Sequence, residues 1–444
     1  MSFNQGSLLR KLTELADLSG KPDRLVVAFS GGLDSTVLLH ALAASRDVHQ
    51  TAVLAIYIDH GLHQDSAAWC RQCQAFASSL DIEFESEIVS VRNDSGQGLE
   101  AAAREARYAA FRAILRNGDC LLSAHHKDDQ AETLLLNLMR GSGPAGLAGI
   151  GEVRAFAAGW LLRPLLSVSR DELQDYAIRH ELTWIDDPSN EDRTIDRNYL
   201  RHEVLPLLQQ RWPGAASRLQ RSAVLAGEAA TMLDQLADAD VHDLGGRPDR
   251  LALDKLRGLP AERQRNVLRY VVRELGLPSP PAAQLHSVVA DLIPARDDGQ
   301  PVVQWAGAEI RRYREQIYVL PTGGLEPANS ASAQEDGCFT LAAGMGELKL
   351  EPGAPSGLAE VVVARGLELR YRTGGEEIKP LGQAHTRKLK KLLQEEGVVP
   401  WMREQLPLLY SGDKLVAVAD LWVASTAASE PGVAIRWINR PAIH

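Results

Sequence analysis

A chain of 444 residues is too long for one ordinary core and predicts two or three domains. Its composition, 45% apolar and 24% charged, is that of a folded protein, and without an apolar run of about 18 residues no membrane span is expected. The net charge of −10 excludes a coat protein for nucleic acid but not a local basic face, because binding follows the distribution of charge rather than its total. Four cysteines make no disulfide framework and predict a reducing, cytoplasmic setting.

In chain order, MSFNQGSLLRKLTELADL (1–18) alternates charge and leucine at helical spacing and predicts an amphipathic helix rather than a secretion signal. LVVAFS (25–30) predicts a buried strand, STVLLHALAAS (35–45) a helix, and TAVLAIYID (51–59) a second strand ending in His60-Gly61. DSAAWCRQCQAFASSL (65–80) reads as a helix, IEFESEIVS (82–90) as a strand, and GLEAAAREARYAAFRAILRN (98–117) as a helix closed by Gly118. CLLSAH (120–125) is a fourth strand and DDQAETLLLNLMR (128–140) another helix. Such alternation predicts a parallel sheet with helices on both faces, and ligands in these folds sit beyond the carboxyl ends of the strands. Three of the four strands end there in polar residues: Ser30, Asp59-His60 and His125-His126. They mark one mouth.

GSGPAGLAGIG (141–151) is a glycine-rich loop, and WLLRPLLSVSRDELQDYAIRH (160–180) a strand leading into a helix. Residues 207–273 are rich in Ala, Leu and Arg and read as helical, with a break at Trp212-Pro213-Gly214; short strands follow in 302–320. PTGGLEPANSASAQEDG (321–337) has the small polar composition of a linker. Beyond it, LELRYR (367–372) and KLVAVADLWVAS (414–425) read as strands flanking the helix TRKLKKLLQEEG (386–397). The expected division is an α/β parallel-sheet domain over 1–212, a mainly helical domain over 213–322, a linker over 323–340 and a small α+β domain over 341–444.

FSGGLDST stands between a strand and a helix, where glycines let backbone N–H groups converge and the helix N-terminus adds partial positive charge. It matches neither GxxxxGK[ST] nor GxGxxG. Lacking a lysine, such a site neutralises phosphate by backbone and metal, with Asp34 as the magnesium partner and Ser30 and Ser35 as hydroxyl donors. The competing reading is a tight turn with Asp34 or Ser35 capping the helix. In AHHKDDQAET (124–133), Asp129 and Glu132 lie three apart on a helix that follows His125 and His126. Dipole complementarity explains one or two acids at a helix start; it does not explain His-His with Asp-Asp-Gln-x-Glu at a strand mouth. Glu100–Arg104 has the i,i+4 spacing of a solvated helix face, and Arg197 and Arg201 enter a helix after an Asp-Asp-Pro-Ser-Asn turn. Arginines so placed bind phosphate or carboxylate in a forked geometry. Two stretches are basic: six arginines against two acids over 193–221, and seven basic residues against two acids over 370–391.

SGGLDS resembles the pyrophosphate loop of the N-type ATP pyrophosphatases, whose members cleave ATP between the α and β phosphates and adenylate a carbonyl-like oxygen. With AHHKDDQAET, RGSGPAGL and DPSN…RNYLRHEVLP, the first 210 or so residues resemble the tRNA(Ile)-lysidine synthetase family. RYRTGGEEIKP, KLKKLLQEEGVVPWMR and LPLLYSGDKLVAVADLWV extend the resemblance, more loosely, into the last domain. The resemblance implies adenylation of the wobble cytidine of a CAU anticodon in an isoleucine tRNA, and displacement of AMP by the ε-amine of free L-lysine. It implies ATP and Mg²⁺ as cofactors, with Ser30, Gly31, Gly32, Leu33, Asp34 and Ser35 on the triphosphate and Asp34 on the metal. Asp129 and Glu132 are candidates to deprotonate or hold the lysine amine. His125 and His126 are candidates for the substrate mouth. Arg104, Arg197 and Arg201 are candidates for the base oxyanion, the adenylate phosphate or the lysine carboxylate. Arg387, Lys388, Lys390 and Lys391 are candidates for the tRNA acceptor arm, and the helical domain for the anticodon stem. The sequence does not set the oligomeric state, with a homodimer the assembly considered.

The nearest rival is a tRNA cytidine thiolase of the same superfamily, which needs cysteines in a cluster or persulfide arrangement. Cys70-x-x-Cys73 lies within a predicted helix and reads as structural, leaving only isolated Cys120 and Cys338. Nothing resembles the glutaminase domain of GMP synthetase. The intact acids in both ATP-side motifs argue against an inactive RNA-binding protein.

Overall fold

The computed structural model describes residues 2–61, 63–91, 99–296, 301–322, 331–332, 337–341 and 345–440, without the side chains of 99–101 and 331–332. Two compact units, Met1–Leu233 and Asp234–His444, divide within the helix Ala215–Asp243.

The first unit begins α1 (Gln5–Ser19), β1 (Arg24–Ala28), α2 (Leu33–Ala43), α3 (Arg46–His49), β2 (Ala52–Asp59), α4 (Ser66–Ser79) and β3 (Glu83–Ile88). It continues α5 (Leu99–Ile114), β4 (Asp119–Leu122), α6 (Lys127–Met139), α7 (Pro144–Leu147), β5 (Val153–Phe156), β6 (Gly159–Leu162) and α8 (Arg170–Arg179). Strand order is β3-β2-β1-β4-β6-β5. All neighbours are parallel except β5, which returns antiparallel on β6. The expected α/β parallel sheet is present, with one strand more at its edge than periodicity showed.

Period-two alternation explains why β1 is apolar throughout. Leu25 and Val27 join a core with Val37, Leu38 and Leu42 of α2, whereas Val26 joins Phe111 and Leu115 on the opposite face. At the edge, β3 carries Glu83, Glu85 and Glu87 at alternate positions, which discourages pairing with another chain. The chain turns to opposite sides of β1, through β2 on one flank and β4 on the other. Beyond the carboxyl ends of β1 and β4 therefore lies the topological switch point, where such sheets bind ligands.

The second unit contains two hydrophobic cores. One joins Val267, Leu268, Val271 and Val272 of the helix Ala261–Glu274 to Ile310 and Ile317 of a four-stranded antiparallel sheet. The strands read in 302–320 are thus joined by one more, Arg250–Ala252, into a single sheet. The other core gathers Phe339, Leu348, Leu369, Leu389, Leu393 and Leu408. Within the stretch read as linker, Ala331–Ser332 and Cys338–Thr340 form strands, while 323–330 and 333–336 lie outside the described residues. The helix expected from 386 is Leu389–Glu396. Arg387 and Lys388 instead pair with Ile378 and Glu377, where Lys388 faces a carboxylate across the strands.

Candidate active site

Two chain segments meet at the switch point: the loop after β1 and the start of α6 after β4. Gly31 has φ +78°, and a Cβ there would stand 2.5 Å from Ile185 Cδ1 and 2.6 Å from Cys73 Sγ. Only glycine fits. Gly32 opens α2 without a side-chain cap, so the first amides of the helix remain available to an anion. Ser35 Oγ donates to Gly32 O at 3.1 Å and lies 3.2 Å from Ser30 Oγ, which holds the two hydroxyls together. Thr36 Oγ1 donates to Gly31 O at 3.2 Å, and the Ile185 amide to the same carbonyl at 2.9 Å. The turn reading and the phosphate reading thus separate: neither Asp34 nor Ser35 caps the helix.

Asp34 Oδ1 is buried and accepts no hydrogen bond among the described residues, while Oδ2 lies 3.5 Å from His126 Nε2. Among the described residues no group of three metal-ligating side chains occurs. A single hard oxygen ligand, completed by substrate phosphates and water, is a donor set that magnesium takes. The residues therefore fit that ion shared with a nucleotide, and do not fit an all-protein metal cage.

His126 occupies the position before α6 and is 1% exposed. Its Nε2 is also 3.5 Å from Asp129 Oδ2, and its Nδ1 lies 3.2 Å from the Asp128 amide and 3.6 Å from the Asp128 carboxylate. Burial opposes charge on the ring, but Asp129, Asp128 and Asp34 outweigh it and lift the imidazole to about 10. The Asp128 amide donates to Nδ1 and so caps α6. His125 is the opposite case: burial, with Arg163, Arg197 and Arg104 nearby, pushes it down to about 4 against the pull of Asp129. Its Nδ1 lies 2.7 Å from Ser123 Oγ. Two adjacent histidines thus differ in charge at neutral pH.

Asp129 and Glu132 face two arginines supplied by the segment after α8. There α9 (Asp196–Tyr199) runs into α10 (Leu205–Arg211) through one wide turn, in which the Leu205 amide bonds to Leu200 O. Pro206 has no amide to give to residue 202, and the wide turn absorbs that loss. Arg197 donates Nε to Glu132 Oε2 at 2.6 Å and Nη2 to Asp129 Oδ1 at 2.8 Å. Arg201 donates Nε to Glu132 Oε1 at 2.6 Å and Nη2 to Asp129 Oδ1 at 3.3 Å. Glu132 is fully buried. Burial alone would raise the Asp129 carboxyl, but His126, Arg197 and His125 hold it well below the ordinary carboxylate range. A carboxylate so acidic is a poor proton acceptor and a good anchor for positive charge.

Asp34, His125, His126, Asp129, Glu132, Arg197 and Arg201 are thereby gathered around one mouth with the loop 30–35. Arg104, exposed on α5, is close enough to depress His125; the side chain of Glu100, its expected partner, lies outside the described residues. Arg387, Lys388, Lys390 and Lys391 belong to the second unit, where Arg387 pairs with Glu395. Periodicity did not single out Gln130, whose Oε1 accepts from the Ile150 amide while Nε2 donates to Ala148 O and Ile150 O. It pins the glycine-rich loop to α6. The polar run between Asp129 and Glu132 was the only signal for it. Cys73 is buried on α4 and its thiol is pushed up to about 12 by burial, as a structural cysteine should be.

Fold and site together define an α/β PP-loop domain built to bind ATP, and residues 5–208 match the PP-loop domain family. Residues 251–318 match a TilS substrate binding domain and residues 367–437 a TilS substrate C-terminal domain. The tRNA(Ile)-lysidine synthase of Alkalilimnicola ehrlichii is 43% identical, over 96% of this chain and 95% of that protein. Those of Xanthomonas campestris pv. campestris and Salmonella typhi are 43% and 40% identical, over 91% and 93% of this chain and 92% and 96% of theirs. The chain belongs to the tRNA(Ile)-lysidine synthase family and is a ligase. A solved U34-tRNA thiolase of Methanococcus maripaludis is similar at a TM-score of 0.42 and 17% identity, covering 49% of this chain and 76% of that one. That likeness is too low to bear on the reaction.

Proposed function

We propose that this protein ligates free lysine to carbon 2 of the wobble cytidine in the CAU anticodon of an isoleucine tRNA. The base oxygen attacks the α-phosphorus of ATP, pyrophosphate leaves, and the ε-amine of lysine displaces AMP. The observation that carries the reading is the junction at the switch point, where the uncapped SGGLDS loop touches the His126–Asp129 cluster.

The chain's own groups have distinct parts in this reading. The amides of the 30–35 loop and the start of α2 hold the triphosphate, with Ser30 and Ser35 as hydroxyl donors. Bound between Asp34 and the phosphates, Mg²⁺ would offset negative charge on the departing pyrophosphate. The imidazolium of His126 adds positive charge beside Asp34. Of the two parts open to Asp129 and Glu132, the depressed Asp129 carboxyl favours holding charge over deprotonation: the pair fixes the guanidinium groups of Arg197 and Arg201 beside the mouth. Arg104 stays available for an anion at the same mouth. The target base leaves a single-stranded loop, which costs little unstacking. The lysines of the last domain suit acceptor-arm phosphates. Four cysteines outside any disulfide suit the cytoplasm, and no helix among the described residues is long and apolar enough to cross a membrane.

The test mixes protein, ATP, labelled lysine and a CAU-anticodon isoleucine tRNA transcript. Lysine entering RNA with stoichiometric AMP is the expected result. Sulfide incorporation in place of lysine would overturn it in favour of a thiolase.

A further inference from the structure

Most of the buried or half-buried arginines of this acidic chain hold a carboxylate: Arg24 holds Asp119, Arg197 and Arg201 hold Glu132, and Arg311 holds Glu309. One group in the first unit differs. Arg104 and Arg112 on α5 and Arg154 on β5 are exposed, and none of them has a carboxylate partner among the described residues. They rest on aromatic rings instead. Arg104 Cζ lies 5.1 Å from the centroid of Tyr108, and Arg112 Cζ 5.3 Å from that of Phe156. Arg154 Cζ lies 5.9 Å from both rings. Tyr108 and Phe156 meet edge to face at 5.5 Å, so the three guanidinium groups stand on one joined aromatic platform.

Stacking occupies the flat face of a guanidinium and leaves its in-plane N–H donors free. It also restrains a long side chain before any ligand arrives, which reduces the ordering cost of binding. Arg104 and Arg112 are separated by eight residues of α5, about 12 Å along the axis. A strand with one phosphate per ~3.4 Å of axis can place more than one phosphate along that length. Arg163, 4% exposed, lies in the same cluster: burial depresses its guanidinium most, the Tyr108 hydroxyl opposes that, and Arg154 and Arg104 add to it. At its upper end the row reaches the mouth, where Arg104 acts on His125.

We infer that the edge formed by α5 and β5 is a docking track for the phosphate backbone of the tRNA that feeds its wobble base into the mouth. This rests on the ligase reading above. The occupant is a polyanion because the platform offers three exposed guanidinium groups with no carboxylate partner among the described residues. It is an RNA strand because a row that starts at an adenylation site suits a chain of phosphates better than a single small anion.

The experiment uses the full chain carrying Arg112→Ala with Arg154→Ala, two positions outside the proposed ATP and lysine sites. The KM for CAU tRNA is expected to rise about ten-fold, with the KM values for ATP and lysine within two-fold of wild type. The dependence of log K for tRNA on log salt should become shallower by about 1.5, the share of two lost contacts. Arg112→Lys with Arg154→Lys should restore most of the slope. Should the alanine pair unfold the edge, Arg112→Gln and Arg154→Gln taken singly are each expected to remove about half the effect. An unchanged tRNA KM and salt slope in a folded variant would overturn the track. If the wild-type protein itself forms no AMP with this tRNA, the ligase reading fails instead; filter binding of the same tRNA to the same variants then reads the surface on its own.

Discussion

Asp34 is the residue on which the proposed chemistry leans most. Its buried Oδ1 has no hydrogen-bond partner among the described residues, so Asp34→Asn removes charge without breaking a bond at that atom. Lysine transfer is expected to fall at least 100-fold, with an unfolding free energy lowered by no more than about 2 kcal/mol through the lost contact with His126. A variant that still transfers lysine at the wild-type rate would remove Asp34 from the mechanism. Asp119 shows the converse. Burial would raise its carboxyl, but hydrogen bonds from Arg24 and the Arg116 amide hold it below the ordinary range. A depressed carboxyl contributes stability above its unfolded pKa of about 4 and loses it as pH falls toward the folded value. Urea midpoints measured from pH 5 down to pH 3 should therefore fall more steeply for wild type than for Asp119→Asn. Parallel profiles would show that the Arg24 pair contributes nothing there.

At the scale of elements, the loop and the two helices that face each other set the site. Gly31→Ala forces a side chain into a φ of +78° and against Ile185 and Cys73. The loop has to move or strain. A loss of about 2 kcal/mol and at least a ten-fold weaker ATP affinity by calorimetric titration are expected. Undiminished affinity would show that the loop carries no phosphate. Between α6 and the helix from Asp196, Glu132 receives both guanidinium groups without exposure to water. Replacing it by glutamine leaves two half-buried cations with less than their full charge partner, at a cost of about 2 kcal/mol. Glu132→Gln should therefore lower the urea midpoint as well as activity; a change under 1 kcal/mol would indicate that the network is solvated. These contacts explain what local pattern did not show. The helix spacing of Asp129 and Glu132 is visible in AHHKDDQAET, but that both acids bind Arg197 and Arg201, about 65 residues on, is a matter of packing.

For the whole molecule, the ATP site belongs to the unit Met1–Leu233, while two further cores lie in Asp234–His444. ATP at 100 times its Kd stabilises the state that binds it by about 2.7 kcal/mol. Hydrogen exchange of the full chain with ATP should slow first in residues 24–43 and 122–140, and leave 251–318 and 367–437 unchanged. Slowing confined to the second unit would locate the nucleotide elsewhere.

Strand and helix alternation, the glycine loop and the acid-rich start of α6 follow from local chemistry: apolar period, turn residues and helix-end charge are written within a few neighbouring positions. So does the prediction of a mouth beyond Ser30 and His125. Local pattern says less about short or solvent-facing elements. It showed neither β5 nor the strand Arg250–Ala252 that joins the strands read in 302–320, and it began the helix of the last domain three residues early, because strand pairing depends on a partner elsewhere in the chain. The charge states of His125 and His126 were beyond its reach, since adjacent residues of one type differ only in what surrounds them. The part taken by Asp129 was likewise left open between accepting a proton and holding a charge. What tertiary structure decided is its surroundings: two arginines and His126 stand against a carboxylate that burial alone would have made a base, which is what favours the proposed holding part.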